Sequence, residues 1–213
     1  RGGSDLSAVA IAKFFQTDSC EIYTDVEGVL TTDPSINEKA KKIDKISYEE
    51  MLEMSSLGAK ILQTRSVELA MKHNVSIQVL SSQIDKPGTY VVNESKKMEK
   101  EIVSGISFSK DEAKVTVTGL LDQPGVSAGI FGSLAEANIN VDMILQNISQ
   151  DGKTANITFT IPQSELKKAV KVLENAKNKI NFQSLKTDEK VAKVSAIGMG
   201  MRSQAGVATK MFK

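Results

Sequence analysis

Arg1 and Asp5 flank Gly2, Gly3 and Ser4 at the start of the chain, setting a guanidinium and a carboxylate on either side of a compact turn. A guanidinium grips a carboxylate through two parallel hydrogen bonds, and a carboxylate holds an ammonium group. A free amino acid offers both partners. The two glycines let backbone approach a ligand closely, and the helix that follows presents unpaired N–H groups suited to an anion. The same pentapeptide also reads as a plain turn and helix cap. In "YTDVEGVLTTDP" (23–34), a strand runs into a polar, glycine-containing loop. Thr24, Asp25 and Asp33 then fall near the carboxyl edge of a sheet, where α/β folds bind nucleotides, although Thr, Asp, Gly and Pro also build ordinary turns. In "SLGAKILQ" (56–63), Gly58 makes a flexible turn before Lys60. A lysine at transferring phosphates offsets developing charge; taken alone, Lys60 reads as solvated surface.

These residues need elements to hold them. "SDLSAVAIAKFF" (4–15) predicts a helix capped by Ser4 or Asp5. "CEIYTDV" (20–26) and "VSIQVL" (75–80) predict buried strands. Ser47 and Glu50 have capping-box spacing, and after Gly58 helical spacing resumes from Ile61 to Lys72. Alternating strand and helix predicts α/β layers around a largely parallel sheet. "NESKKMEK" (93–100) carries no apolar period and reads as a linker.

A repeat follows it. "AKVTVTGLLDQPGVSAGIF" (113–131) and "AKVSAIGMGMRSQAGVATKMF" (192–212) align Val115 with Val194, Gly119 with Gly198, Gly125 with Gly206 and Phe131 with Phe212. The first copy continues through "INVDMILQNIS", "KTANITFTIP", "SELKKAVKVLENAK" and "NFQSLK". That order is βαββαβ, an antiparallel sheet with helices on one face. The second copy ends early in its first helix, so the chain is expected to be cut there.

Composition narrows the function classes. The 213 residues are 40% hydrophobic and 25% charged with a net charge of +1, so bulk charge draws the chain to neither nucleic acid nor anionic lipid. A single cysteine, Cys20, leaves no intrachain disulfide and no cysteine zinc site, and fits a reducing compartment. No apolar run approaches the roughly 20 residues of a membrane span. Cys20 reads as core. The lone histidine, His73, sits near a helix end, where its cation is favoured by the dipole.

Taken in order, "RGGSD", "YTDVEGVLTTDP" and "SLGAKILQTRSVELA" resemble the later part of the catalytic domain of aspartate kinases, within the amino acid kinase superfamily. "VTVTGLLDQPGVSAGIF" with "INVDMILQNIS" resembles the first of the paired ACT regulatory domains of those enzymes. The resemblance implies residues 1–92 from the catalytic domain, a linker at 93–100, a first ACT domain with a preceding strand at 101–187, and the start of a second at 188–213. The family's lysine- and glycine-containing phosphate-binding strand and most of the second ACT domain have no counterpart here. The chain is therefore expected to be cut at both ends and inactive alone.

The resemblance implies transfer of the γ-phosphate of ATP to the β-carboxylate of L-aspartate, with Mg²⁺ on the phosphates and no permanently bound cofactor. Arg1, Gly2, Gly3, Ser4 and Asp5 would bind aspartate; Thr24, Asp25, Asp33 and Lys60 would bind ATP. An ACT effector, lysine or threonine, would engage Asp122, Gly125, Ser127, Gln146, Asn147, Ser149 and Thr158. Homo- or hetero-oligomers through the ACT domains, a cytoplasmic location, and no nucleic-acid or membrane partner are expected. Three positions depart from the family pattern: Leu30 where Tyr is common, Ser35 where Arg is common, and Thr64 where Pro is common. Leu30 has no hydroxyl to donate, and Ser35 cannot neutralise phosphate. The alternative is a non-catalytic regulatory or assembly fragment that binds an amino acid.

Overall fold

The computed structural model describes residues 3–95, 102–148, 152, 154–202 and 204–212. They form two compact units, one of Arg1–Phe108 with Val194–Lys213 and one of Ser109–Lys193. Among the described residues no helix is long and apolar enough to cross a membrane.

The first unit is built on a four-stranded sheet of order β1-β3-β4-β2, with β1 at Ser19–Thr24, β2 at Lys45–Ser47, β3 at Ser76–Ser81 and β4 at Thr89–Val92. β1 pairs parallel with β3 and β2 parallel with β4, but β3 and β4 run antiparallel. The expected largely parallel sheet is thus a mixed one. The link from β3 to β4, residues 82–88, is shorter than the dozen or so residues a parallel crossover needs. Helices α1 (Gly3–Phe15), α2 (Tyr48–Ser56) and α3 (Thr64–His73) pack in series, α1 on α3 and α3 on α2. Val9, Met51, Val67, Ile77 and Val79 meet in one core and are fully buried. The other face stays open, with Tyr23 and Tyr90 at its surface.

Two boundaries moved. α1 begins at Gly3, so Ser4 and Asp5 lie inside its first turn rather than capping it. α3 begins at Thr64, with Gln63 as its N-cap, because Ile61 and Leu62 belong to the preceding turn. The Ser47–Glu50 capping box forms as its spacing predicts. Tyr48, at the head of α2, donates its buried hydroxyl to the Val75 carbonyl at 2.7 Å, fastening α2 to the entry of β3.

The second sheet has order β6-β7-β5-β8, with β5 at Gly105–Leu121, β6 at Asp142–Ile148, β7 at Thr154–Pro162 and β8 at Ser184–Ile197. β7 is antiparallel to both β5 and β6. Helices α4 (Val126–Glu136) and α5 (Leu166–Ile180) close over Val115, Val117, Ile157 and Phe159. The βαββαβ order is therefore present, with longer first and last strands than their apolar runs predict. The repeat is visible in backbone form, since Gly125 and Gly206 are left-handed N-caps of α4 and of the short helix α6 (Val207–Met211).

On the sheet, Lys193 pairs with Glu112 at 3.7 Å and with Asp142, tying β8, β5 and β6 together. The Lys193 ammonium holds the Asp142 carboxyl below the usual carboxylate range, and the Met143 N–H adds to this.

Two measurements follow from these contacts. Tyr48→Phe removes a buried donor and should cost about 1–2 kcal/mol in denaturant unfolding; no change would mean that the Val75 carbonyl is satisfied without it. Asp142 has a depressed folded-state pKa, so its contribution is present above the ordinary carboxylate pKa and lost as pH falls through the folded value. Asp142→Asn should lower the melting temperature at neutral pH, and the gap to the parent should close in acid.

Candidate functional site

The chemistry gathers where two strand–helix reversals point. α1 returns into β1 through residues 16–18, and α3 into β3 through Asn74 and Val75; Gln16 and Asn74 take left-handed backbone to make the turns. So tight a reversal leaves each helix antiparallel to its strand, and the N-termini of α1 and α3 sit at the carboxyl ends of β1 and β3. Because β1 and β3 are parallel and in register, with Thr24 opposite Ser81, both helix N-termini reach one edge.

Asp5 reaches the loop that leads into α3. The Gln63 N–H donates to Asp5 Oδ2 at 3.4 Å, linking the first turn of α1 to the N-cap of α3. Lys60 lies three residues before that cap and is exposed. Ser4 Oγ donates to Asp5 Oδ1 at 3.2 Å, and Gly3 opens the same turn. Arg1 and Gly2 lie outside the described residues. Beyond β1, Thr24 Oγ1 donates to Asp25 Oδ1 at 3.0 Å. The Thr24 carbonyl accepts from Ser82 N at 2.8 Å and Ser82 Oγ at 3.0 Å, so the ends of β1 and β3 are joined. Asp5 thus joins the first turn of α1 to the N-cap of α3, while Thr24 and Asp25 lie where β1 ends.

Asp33 is placed differently. It lies in an arm closed by the Leu30–Lys42 bridge, and its Oδ1 accepts from Ser35 N at 2.8 Å and Ser35 Oγ at 2.7 Å. Ser35 therefore shapes the Asp33 turn. The base of the arm is anchored through buried Thr89, whose hydroxyl accepts from Val29 N at 2.8 Å and donates to the Ile43 carbonyl at 2.5 Å. Cys20 is buried in the core, and burial pushes its thiol up, with the charges of Asp5 and Glu21 adding. A raised thiol pKa disfavours the thiolate that a nucleophile requires.

In the second unit the effector candidates divide. Asp122 is exposed just past β5, Gly125 is the N-cap of α4, and Ser127 lies in the first turn of that helix. Gly125 makes the cap, and no side-chain cap hydrogen bond forms, so Asp122 does not cap α4. Cross-strand partners face the same side of a sheet. Gln146 pairs with buried Ile157 and so lies on the helix-covered side. Asn147 pairs with Asn156 on the opposite side, where Thr158 and Thr116 share a 3.0 Å hydroxyl contact. Ser149 lies outside the described residues.

Residues 1–81 match the amino acid kinase family and residues 115–176 an ACT domain. An aspartate kinase of Pseudomonas putida is 50% identical over the whole chain, which spans about half (52%) of that relative's length. The crystal structure of Clostridium acetobutylicum aspartate kinase superposes with a TM-score of 0.86 at 28% identity, covering 100% of this chain and 49% of that one. E. coli aspartokinase III in complex with aspartate and ADP gives a TM-score of 0.78 at 27% identity, over 100% of this chain and 47% of that one. Its complex with lysine and aspartate gives 0.73 at 28% identity, over 93% and 43%.

Two glycines near these sites test the backbone. Gly58 has φ +118°, and an added Cβ would meet the Phe108 carbonyl oxygen at 2.6 Å; Gly125 has φ +93° with open space around it. Gly125→Ala should cost only left-handed strain, about 1–2 kcal/mol. Gly58→Ala should cost more, because its clash is with backbone. Equal losses in denaturant melts would show that the Phe108 strand yields freely.

Proposed function

We propose, for a chain that belongs to the aspartate kinase family, that it contributes to transfer of the ATP γ-phosphate to the β-carboxylate of L-aspartate. The products are 4-phospho-L-aspartate and ADP, opening the route to lysine, threonine and methionine. One observation carries this reading: the carboxylate of Asp5, in the first turn of α1, accepts from the N-cap residue of α3, three residues after Lys60. In this arrangement Asp5 holds the substrate ammonium, and Arg1 takes its α-carboxylate as the family resemblance implies. Lys60 faces the phosphates of MgATP, the phosphoryl-donor substrate. Thr24 and Asp25 border the nucleotide, with Asp33 behind its own turn. Catalysis is then positioning of the β-carboxylate in line with the γ-phosphate, with fixed charge against the transferring group.

The ACT unit would carry feedback inhibition by lysine or threonine. That E. coli aspartokinase III was solved with lysine and aspartate favours lysine as the first effector to test. Inhibition requires the effector to bind the inactive arrangement more tightly than the active one.

The test is ATP- and aspartate-dependent hydroxamate formation by the protein carrying these residues at the full length of its relatives. Lys60→Met should lower kcat by about 10²–10³-fold. Asp5→Asn should raise the aspartate KM by roughly 10–100-fold, as the loss of a charged hydrogen bond implies. No turnover by the parent would favour the fragment reading, in which calorimetry detects lysine or threonine binding without catalysis.

A further inference from the structure

Glu50 does more than its capping box requires. Its Oε2 accepts from Ser47 N at 3.2 Å and Ser47 Oγ at 3.1 Å, which completes the cap of α2. Its Oε1 accepts from Ser104 Oγ at 2.5 Å and from Met199 N at 3.1 Å. The residue is 3% exposed, at the inner wall of a cleft of about 240 Å³ that Glu53, Gly198 and Met199 also line. One buried side chain therefore gathers three separate stretches of chain, with donors to both of its oxygens.

Ser104 opens a segment that runs along α2 toward Lys60. Ser104 N donates to the Ile197 carbonyl, Ile106 N to the Thr31 carbonyl at 2.7 Å, and Ser107 Oγ to the Met54 carbonyl at 3.4 Å. Phe108 then lies against Gly58, two residues before Lys60. The segment 104–108 is thus fixed at one end by Glu50 and braces, at the other, the turn that presents the lysine. It also touches Thr31, in the arm that carries Asp33.

We infer that Glu50 is a positioning residue for the nucleotide side of the reaction, acting through Ser104 and the 104–108 segment on the Gly58–Lys60 turn. This rests on the reading of Lys60 as a phosphate-binding lysine. Displacing that turn weakens ATP binding without touching the aspartate side, since Asp5 is held by Gln63 and not by the segment.

Ser104→Ala cuts the Oε1 link and leaves the cap of α2 in place; Ser104→Thr restores a hydroxyl. Glu50→Gln is the companion variant. In full-length enzyme, with ATP and aspartate varied separately, Ser104→Ala and Glu50→Gln should raise the ATP KM about tenfold. The aspartate KM should stay within about twofold, and Ser104→Thr should return the ATP KM toward the parent value. The inference is overturned if Ser104→Ala keeps the parent's ATP KM, or if both KM values and the melting temperature shift together. Should Glu50→Gln fail to fold, the Ser104 pair decides alone. A parent without kinase activity overturns the aspartate kinase reading instead, an outcome distinct from an active parent whose Ser104 variants behave as it does.

Discussion

The parallel pairing of β1 with β3, Ser19–Thr24 against Ser76–Ser81, decides where the chemistry of the first unit collects. Parallel neighbours end at the same edge, and each of these strands is entered from a helix through a tight reversal. Both helix starts are therefore delivered to that edge together. Their aligned N–H groups and the positive ends of their dipoles favour anions. Asp5, an anion itself, sits in the first turn of α1 at mild dipolar advantage, and its carboxylate accepts from the Gln63 N–H and the Ser4 hydroxyl. A slip of one residue between β1 and β3 would turn Ile77 and Val79 out of the core, so burial holds the register that assembles the site.

The mixed sheet has a consequence for the arm that carries Asp33. Because β4 runs back along β3, its first residue, Thr89, lies beside Val79 near the carboxyl end of β3. The loop leaving β1 is pinned there by the Thr89 hydroxyl and by Lys42, which donates to the Pro87 carbonyl at 2.6 Å. A wholly parallel sheet would carry Thr89 to the opposite edge and leave the loop without this anchor. The antiparallel step thus anchors the loop that leaves β1 through Thr89 and Lys42.

Much of this was legible in the sequence where the information is local. The capping box at Ser47 and Glu50 and the strand over Cys20 to Thr24 both follow from spacing within a few residues. The family resemblance rested on motifs of that kind. What stayed hidden depends on distant partners. In "GISFSKDE" the buried positions are Gly105 and Ser107, while Ile106 is 44% exposed, so the polarity pattern is inverted and the preceding strand is implied by the resemblance, not by alternation. The small residues face inward because Met54 and the Thr31 carbonyl occupy the space beside them. Glu50 likewise reads as a helix-capping glutamate, and nothing near it in sequence announces Ser104 or Met199. Gln63 holds Asp5 through its backbone N–H, a role that no side-chain pattern encodes.

The effector candidates raise a geometric constraint of their own. β6 is an edge strand, exposed along its whole length, with Ile144, Leu145 and Ile148 at the surface. Gln146 and Asn147 project to opposite sides of it, so a small amino acid cannot rest on one face of the sheet and use both side chains. A single ligand meeting both must lie at the open edge itself, where the strand's outward N–H and C=O groups can take its carboxylate and ammonium. Those same groups are the ones a second strand would pair with. Binding an amino acid at that edge and pairing the edge with another chain are therefore competing uses of one row of backbone groups, unless the partner leaves part of the row free.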